Sequence, residues 1–215
     1  NKPGAGGATA ATMVAASPGD GSHLLIGSNS MVMNSVIQKQ PQYDPVSSFK
    51  TISILNTGPS LILVGKNSKY NDLKSLFEGM KKGEVQNYGS AGIGSAAHLI
   101  TEMLNRELNS SVQHVPYRGI SNALTDMIAG NVDLVIATPA SANGQIKAGY
   151  VKGLGITSLK PSPFYPDLPT FSEFLPNFEA ESWWGIFATA KTPAPLVEYL
   201  NKAIVAACQD QFMLD

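Results

Sequence analysis

The sequence predicts an α/β fold with mainly parallel sheets flanked by helices. Three observations carry that expectation. Strand-length apolar runs alternate with stretches of helical spacing along the chain, the pattern of βα units. Runs such as "VDLVIAT" (132–138) are apolar almost throughout, as strands covered on both faces are. The 215 residues are 43% hydrophobic and only 14% charged, a balance that predicts a folded chain of one large domain or two small ones.

Each element has a local reason. The chain opens on the loop "NKPGAGG", and "ATAATMVAAS" (8–17) reads as a helix stopped by Ser17-Pro18-Gly19. "SHLLIGS" (22–28) is a strand, followed by the polar turn Ser28-Asn29-Ser30 and the helical "MVMNSVIQKQ". "YDPVSSF" (43–49) is a loop or single turn. "TISILNT" and "PSLILVGK" read as two strands around a turn at Gly58-Pro59. Asn71 or Asp72 caps "LKSLFEGMKKG", which Gly83 ends. A helix from residue 94 to about 108 follows the short strand ending at Tyr88. "SVQHVPY" is a strand, "SNALTDMIAGN" a helix with Ser121 as candidate cap, and Pro139 opens the helix "PASANGQIKAG". After the strand "VKGLGITS" comes a proline-punctuated segment (160–179), then the strand "SWWGIFATA" and a last helix, "PAPLVEYLNKAIVAACQ".

Residues 22–82 and 85–158 form two differently spaced runs of elements, and a final strand and helix follow the proline-rich segment. This predicts two lobes joined by two crossings, near Gly83–Gln86 and Trp183–Gly185: domain I is 1–83 plus 186–215, domain II 84–185. Loops after the strands, at Ser28–Met31, Ser90–Ser95, Tyr117–Ile120 and Thr138–Ser141, would face a ligand cleft.

The most informative stretch is "NYGSAGIGSAAHLITEML" (87–104). A strand passes into a helix through Gly, Ser and Ala, with no Lys, Arg or Cys. Small residues uncover the backbone amides, and the helix behind aims its free N–H groups and positive dipole end at the same point. Three uses fit. Gly92-Ile-Gly94-Ser95-Ala96-Ala97 matches the G-x-G-x-x-G/A dinucleotide fingerprint; the turn could instead hold a carboxylate; or it could be a tight packing turn and nothing more. The dinucleotide fingerprint follows an apolar buried strand and needs an acid about 20 residues on. Here "EVQNYGS" is polar, and the next strand ends at Arg118, which would suit only a 2′-phosphate.

Other chemistry has little support. A net charge of −1 supplies no basic surface for nucleic acid, and no apolar run approaches the ~20 residues that span a bilayer. Cys208, the only cysteine, reads as a small buried helix residue. His23, His98 and His114 lack metal-ligand spacing and read as structural. No nucleophile elbow, zincin motif or P-loop occurs. Glu102, Asp126 and Asp133 occupy solvated or capping positions, and Trp183 and Trp184 are core or stacking residues.

Six segments occur together and in order: "NKPGAGG", "YDPVSSF", "NYGSAGIGSAAHL", "HVPYRGISNALTDMIAGNVDL", "SLKPSPFYPDLPTFSE" and "SWWGIFATAKTPAPLVEYLN". With them the chain resembles, over essentially its whole length, the Bug-type extracytoplasmic solute receptors of tripartite tricarboxylate transporters. The resemblance implies a two-lobed periplasmic-binding-protein ("Venus flytrap") fold. It also implies no catalysis, no cofactor and no metal. The expected receptor is a periplasmic monomer that captures a small organic acid (a di- or tricarboxylate, amino acid or aromatic acid) and delivers it to membrane permease subunits. It places ligand contacts on Ser90, Ala91, Gly92, Gly94 and Ser95, on Thr138 and Pro139 with Ala140-Ser141, on Ser28, Asn29 and Ser30, and on Trp184. The family's first strand and glycine-rich loop, and its C-terminal segment, fall outside this chain, so a partial domain I is expected; the signal peptide is not in the given chain either. An NADP-dependent oxidoreductase using Gly92, Gly94 and Arg118, or a sensor passing ligand occupancy to a signalling partner, are the alternatives.

Overall fold

The computed structural model describes residue 2 and residues 7–210, so "NKPGAGG" lies almost wholly outside the described residues. The elements run α1 (Ala8–Ala16), β1 (Leu24–Ser28), α2 (Asn29–Ile37), β2 (Phe49–Pro59), β3 (Leu61–Gly65), α3 (Leu73–Lys81), β4 (Asn87–Ser90) and α4 (Ala96–Leu108). There follow β5 (Gln113–Pro116), α5 (Ile120–Ala129), β6 (Leu134–Ala137), α6 (Pro139–Lys147), β7 (Val151–Ile156), a single 3-10 turn (Phe171–Glu173), β8 (Glu181–Thr189) and α7 (Ala194–Cys208).

Contacts divide the chain into two units, Asn1–Thr57 with Trp183–Asp215, and Gly58–Ser182. The expected boundary near Gly83–Gln86 falls inside the second unit. The reason is β3, which pairs with both β6 and β7 and carries α3 with it. Gly58-Pro59 makes no turn: β2 continues through both residues, and only Ser60 separates it from β3.

In the second unit the strand order is β5-β4-β6-β3-β7. β4 is parallel to β5 and β6, while β3 is antiparallel to both of its neighbours, so four strands share a direction and β3 opposes them. Period-two alternation sends successive side chains to opposite faces. Ile62, Val64, Leu134 and Ile136 pack with α3 and α4 on one face. Leu61, Leu63, Val135 and Ala137 pack with α5 on the other. Leu61 to Val64 are fully buried, and each such side chain contributes about 1.5–3 kcal/mol relative to exposure. β4, polar in sequence, is also internal: Tyr88 and Ser90 have no exposed surface.

In the first unit the order is β1-β8-β2, and β1 pairs antiparallel with β8, with Ser28 opposite Trp184. The β1–β8 pair thus departs from the mainly parallel sheet expected. Leu25, Phe49 and Phe187 form its core with Ala11 and Val14 of α1. α7 buries no residue, and Cys208 is half-buried rather than buried.

Caps follow the sequence in part. Asp72 caps α3 by accepting from Ser75 N–H at 2.7 Å, and Gly83 follows that helix at φ 69°. Ser121 does not cap α5; Gly119 holds that position and Ser121 lies inside the helix.

Candidate functional site

β4 is where the second unit's sheet reverses its order: the chain leaves through α4 to β5 on one side, then returns through α5 to β6 on the other. α4 and α5 lie on opposite faces, so the carboxyl ends of these strands form the switch point at which α/β sheets bind ligands. Three expected loops share that edge. Residues 91–95 follow β4, 117–119 follow β5, and Thr138 follows β6. The first two touch: Tyr117 N–H donates to Ser90 O at 3.0 Å, and a Cβ at Gly92 would meet Tyr117 O at 3.5 Å.

Within the turn, Gly92 and Gly94 have φ of 107° and 80°, the left-handed region that glycine tolerates without strain. Ser90 is fully buried. Its hydroxyl oxygen accepts from Gly92 N–H at 3.0 Å, lies 3.2 Å from Gly92 O, and sits 2.6 Å from His114 Nε2. Ser90 thus shapes the turn and does not present a donor outward. Gly94 N–H donates to His98 Nδ1 at 3.3 Å, and Ser95 N–H donates to Gly92 O at 3.1 Å. Ser95 caps α4 by accepting from His98 N–H at 3.4 Å. Ala96 and Ala97, at the first two positions of α4, have no intrahelical acceptor for their N–H groups. The positive end of the turn is these amides with the Ser95 hydroxyl, and Ile93 stands 58% exposed at its tip.

Beneath the turn lies a stack that sequence reasoning missed. His114 stacks on Tyr88 with ring centroids 4.9 Å apart, and His98 lies against His114 at 4.3 Å. Tyr88 donates its hydroxyl to Glu102 Oε1 at 2.7 Å. Burial, then the Glu102 carboxylate, raises the Tyr88 phenol well above its ordinary range. Burial pushes the His114 imidazole below its ordinary value, and His98 adds to that effect. Ser90 and His114 are 24 residues apart; their pairing comes from the β4–β5 register. The available sequence signal was that His98 and His114 lie on the two elements that follow the turn in the chain.

The three acids have structural partners. Asp126 accepts from the Tyr117 hydroxyl at 2.7 Å, and burial with that bond pushes the Tyr117 phenol up to about 12. Asp133 accepts from the N–H groups of Gln86 and Asn87, joining the starts of β4 and β6.

The remaining expected site residues fall into two places. Thr138 caps α6 without a side-chain bond to it; its hydroxyl pairs with Ser141 Oγ at 3.0 Å, and Pro139 removes one donor from that helix start. Ser28, Asn29, Ser30 and Trp184 belong to the first unit. Ser28 caps α2, accepting from Ser30 N–H, so the expected polar turn is already the helix start. Asn29 Oδ1 accepts from Trp183 N–H at 2.9 Å. Trp183 packs against Phe187, and Trp184 is 42% exposed beside Ser28. Arg118 is exposed, and among the described residues no cluster of three or more His, Cys, Asp or Glu could hold a metal ion.

Comparison with known proteins identifies the lineage. The profile of the tripartite tricarboxylate transporter family receptor matches residues 1–212. The chain belongs to this receptor family. A UPF0065 protein of a Pseudomonas species is 35% identical over 207 residues, covering 95% of this chain and 62% of its own length. The periplasmic binding protein BugD superposes with a TM-score of 0.93 at 34% identity, covering 100% of this chain and 72% of that one. MatC from Rhodopseudomonas palustris, solved with bound malate, gives 0.90 at 31% identity, covering 98% and 72%. The chain therefore has the two-lobed α/β fold of periplasmic binding proteins, and it spans less than two thirds of the curated relative's length.

Proposed function

We propose that this chain is the larger part of a periplasmic receptor that captures a small carboxylate and hands it to the permease of a tripartite tricarboxylate transporter. One observation carries the proposal: at the sheet's switch point, the Ala96 and Ala97 amides at the start of α4 and the Ser95 hydroxyl are neutral donors, in a turn without a lysine or arginine. Charge-assisted hydrogen bonds from neutral donors hold a carboxylate. A buried ion pair would resist release far more, because separating it strands a charge. Ile93 suits the ligand's carbon chain, and malate in MatC is the chemistry this turn would accept.

Binding without catalysis fits the same geometry. Ser90 and His114 have the spacing of a nucleophile and its base, but Ser90 is fully buried and its oxygen already accepts from Gly92 N–H. Nothing in the turn favours the dinucleotide alternative: Gly92 and Gly94 N–H are internally bonded, and Asp126, the nearby acid, is taken by Tyr117.

The test is Ser95→Asp. Aspartate is as good a helix cap as serine, so folding survives, while a carboxylate there repels an anion inside a site of low dielectric. Calorimetric titration with malate should show binding to the parent and none to the variant, and neither should respond to NADPH. Equal malate binding by parent and variant would place the anion elsewhere.

A further inference from the structure

We propose that His98 is a positioning residue for the turn: its imidazole, braced by His114, accepts from Gly94 N–H and fixes Gly94, and loss of that acceptor loosens the turn and weakens ligand capture. The ligand clause rests on the carboxylate reading above; the positioning does not.

The geometry sets the proton. Gly94 N–H donates to His98 Nδ1, so that nitrogen bears a lone pair, and the ring proton of the neutral form is on Nε2. Gly94 is at φ 80°, and its amide direction therefore decides where the chain enters α4. His98 also donates its own backbone N–H to Ser95 Oγ, so one residue holds both ends of the helix entrance. A proton on Nδ1 would face the Gly94 N–H, two donors meeting with no acceptor between them.

The surroundings hold the His98 ring in place. From β5, His114 lies against His98 at 4.3 Å. From β4, Tyr88 stacks on His114 and is tied through its hydroxyl to Glu102 on α4. Among the described residues no charged side chain of α3 or β6 is in hydrogen-bond or ion-pair contact with either imidazole. His114 fits the turn in a single pattern that uses every group: its Nε2–H donates to Ser90 Oγ, which also accepts from Gly92 N–H, while the Ser90 hydroxyl donates to Gly92 O. The two imidazoles thus grip the turn at both ends, His114 through Ser90 and His98 through Gly94.

Nuclear magnetic resonance of the full chain tests this directly. Long-range imidazole nitrogen spectra should show His98 with its proton on Nε2. His98→Asn keeps an acceptor near the Nδ1 position, so it should hold the Gly94 amide near its parental shift. His98→Leu should displace that amide. With malate as probe, His98→Leu should weaken affinity about fivefold, the worth of one lost hydrogen bond, and His98→Asn should restore most of it. A Gly94 amide that ignores His98→Leu, in an otherwise native spectrum, overturns the proposal; should His98→Leu not fold, a His98 ring proton found on Nδ1, or a Gly94 amide displaced in His98→Asn, overturns it instead. A Gly94 amide that follows His98 in a protein that never binds malate leaves the positioning standing and sinks the carboxylate reading instead.

Discussion

Ser90 shows how much one small side chain can determine. It satisfies Gly92 N–H and meets His114 Nε2 from a fully buried position, with both partners half-buried. Ser90→Ala removes both bonds, and each lost hydrogen bond costs about 1 kcal/mol. Thermal denaturation should therefore place Ser90→Ala well below the parent, whereas Ser121→Ala, in the exposed part of α5, should leave the midpoint nearly unchanged. The same burial predicts that a fluorophosphonate probe labels no serine at position 90. His114 adds a pH dependence whose sign is fixed. Its pKa is lowered in the folded chain by burial, so the unfolded chain binds the extra proton first. Its contribution to stability is present above the ordinary imidazole value of about 6.5 and is lost as pH falls through the lowered folded value. Urea midpoints should drop on acidification across that window, and His114→Phe should make the drop shallower.

At the scale of elements, packing around β4 depends on a residue with no side chain. A Cβ at Gly89 would lie 2.9 Å from the Ala123 Cβ and 3.2 Å from Tyr117 and Val135. Gly89→Ala should push α5 off the sheet and cost about 1–3 kcal/mol, read as a lower urea midpoint with a native slope. Asp72→Ala at the start of α3 should cost about 1 kcal/mol, the usual worth of a helix cap. Sequence spacing anticipated both helices, because apolar periodicity and caps are local signals. It did not anticipate that the polar "NYGS" is an internal strand, since Tyr88, Gly89 and Ser90 are buried only by what α4, α5 and the β5 and β6 neighbours lay over them. Asn105 is a similar case: its carboxamide bonds Val112 N–H and C=O at 3.0 Å each, tying α4 to β5, and nothing in the local sequence distinguishes it from a solvated helix asparagine.

For the whole molecule, the second unit is a continuous segment whose two ends meet. Ser60 Oγ lies 3.1 Å from Ser182 Oγ, and Ala180 N–H donates to Thr157 O beside them. A segment of residues 58–182 expressed alone should fold, with cooperative urea unfolding and the far-UV dichroism of an α/β protein, because its core clusters draw only on its own residues. Non-cooperative unfolding of that segment would show that its stability is borrowed. The sequence by itself determined the α/β class, most element positions, the family and the Gly-Ser turn as the place to look, because periodicity, capping and motif order are written in neighbouring residues. Only the tertiary structure decided the direction of β3 and the unit boundary that follows from it, since an apolar run carries no orientation. It alone brought His114 under the turn against Ser90 and His98, because those contacts join residues that share no local pattern until β4 and β5 lie side by side.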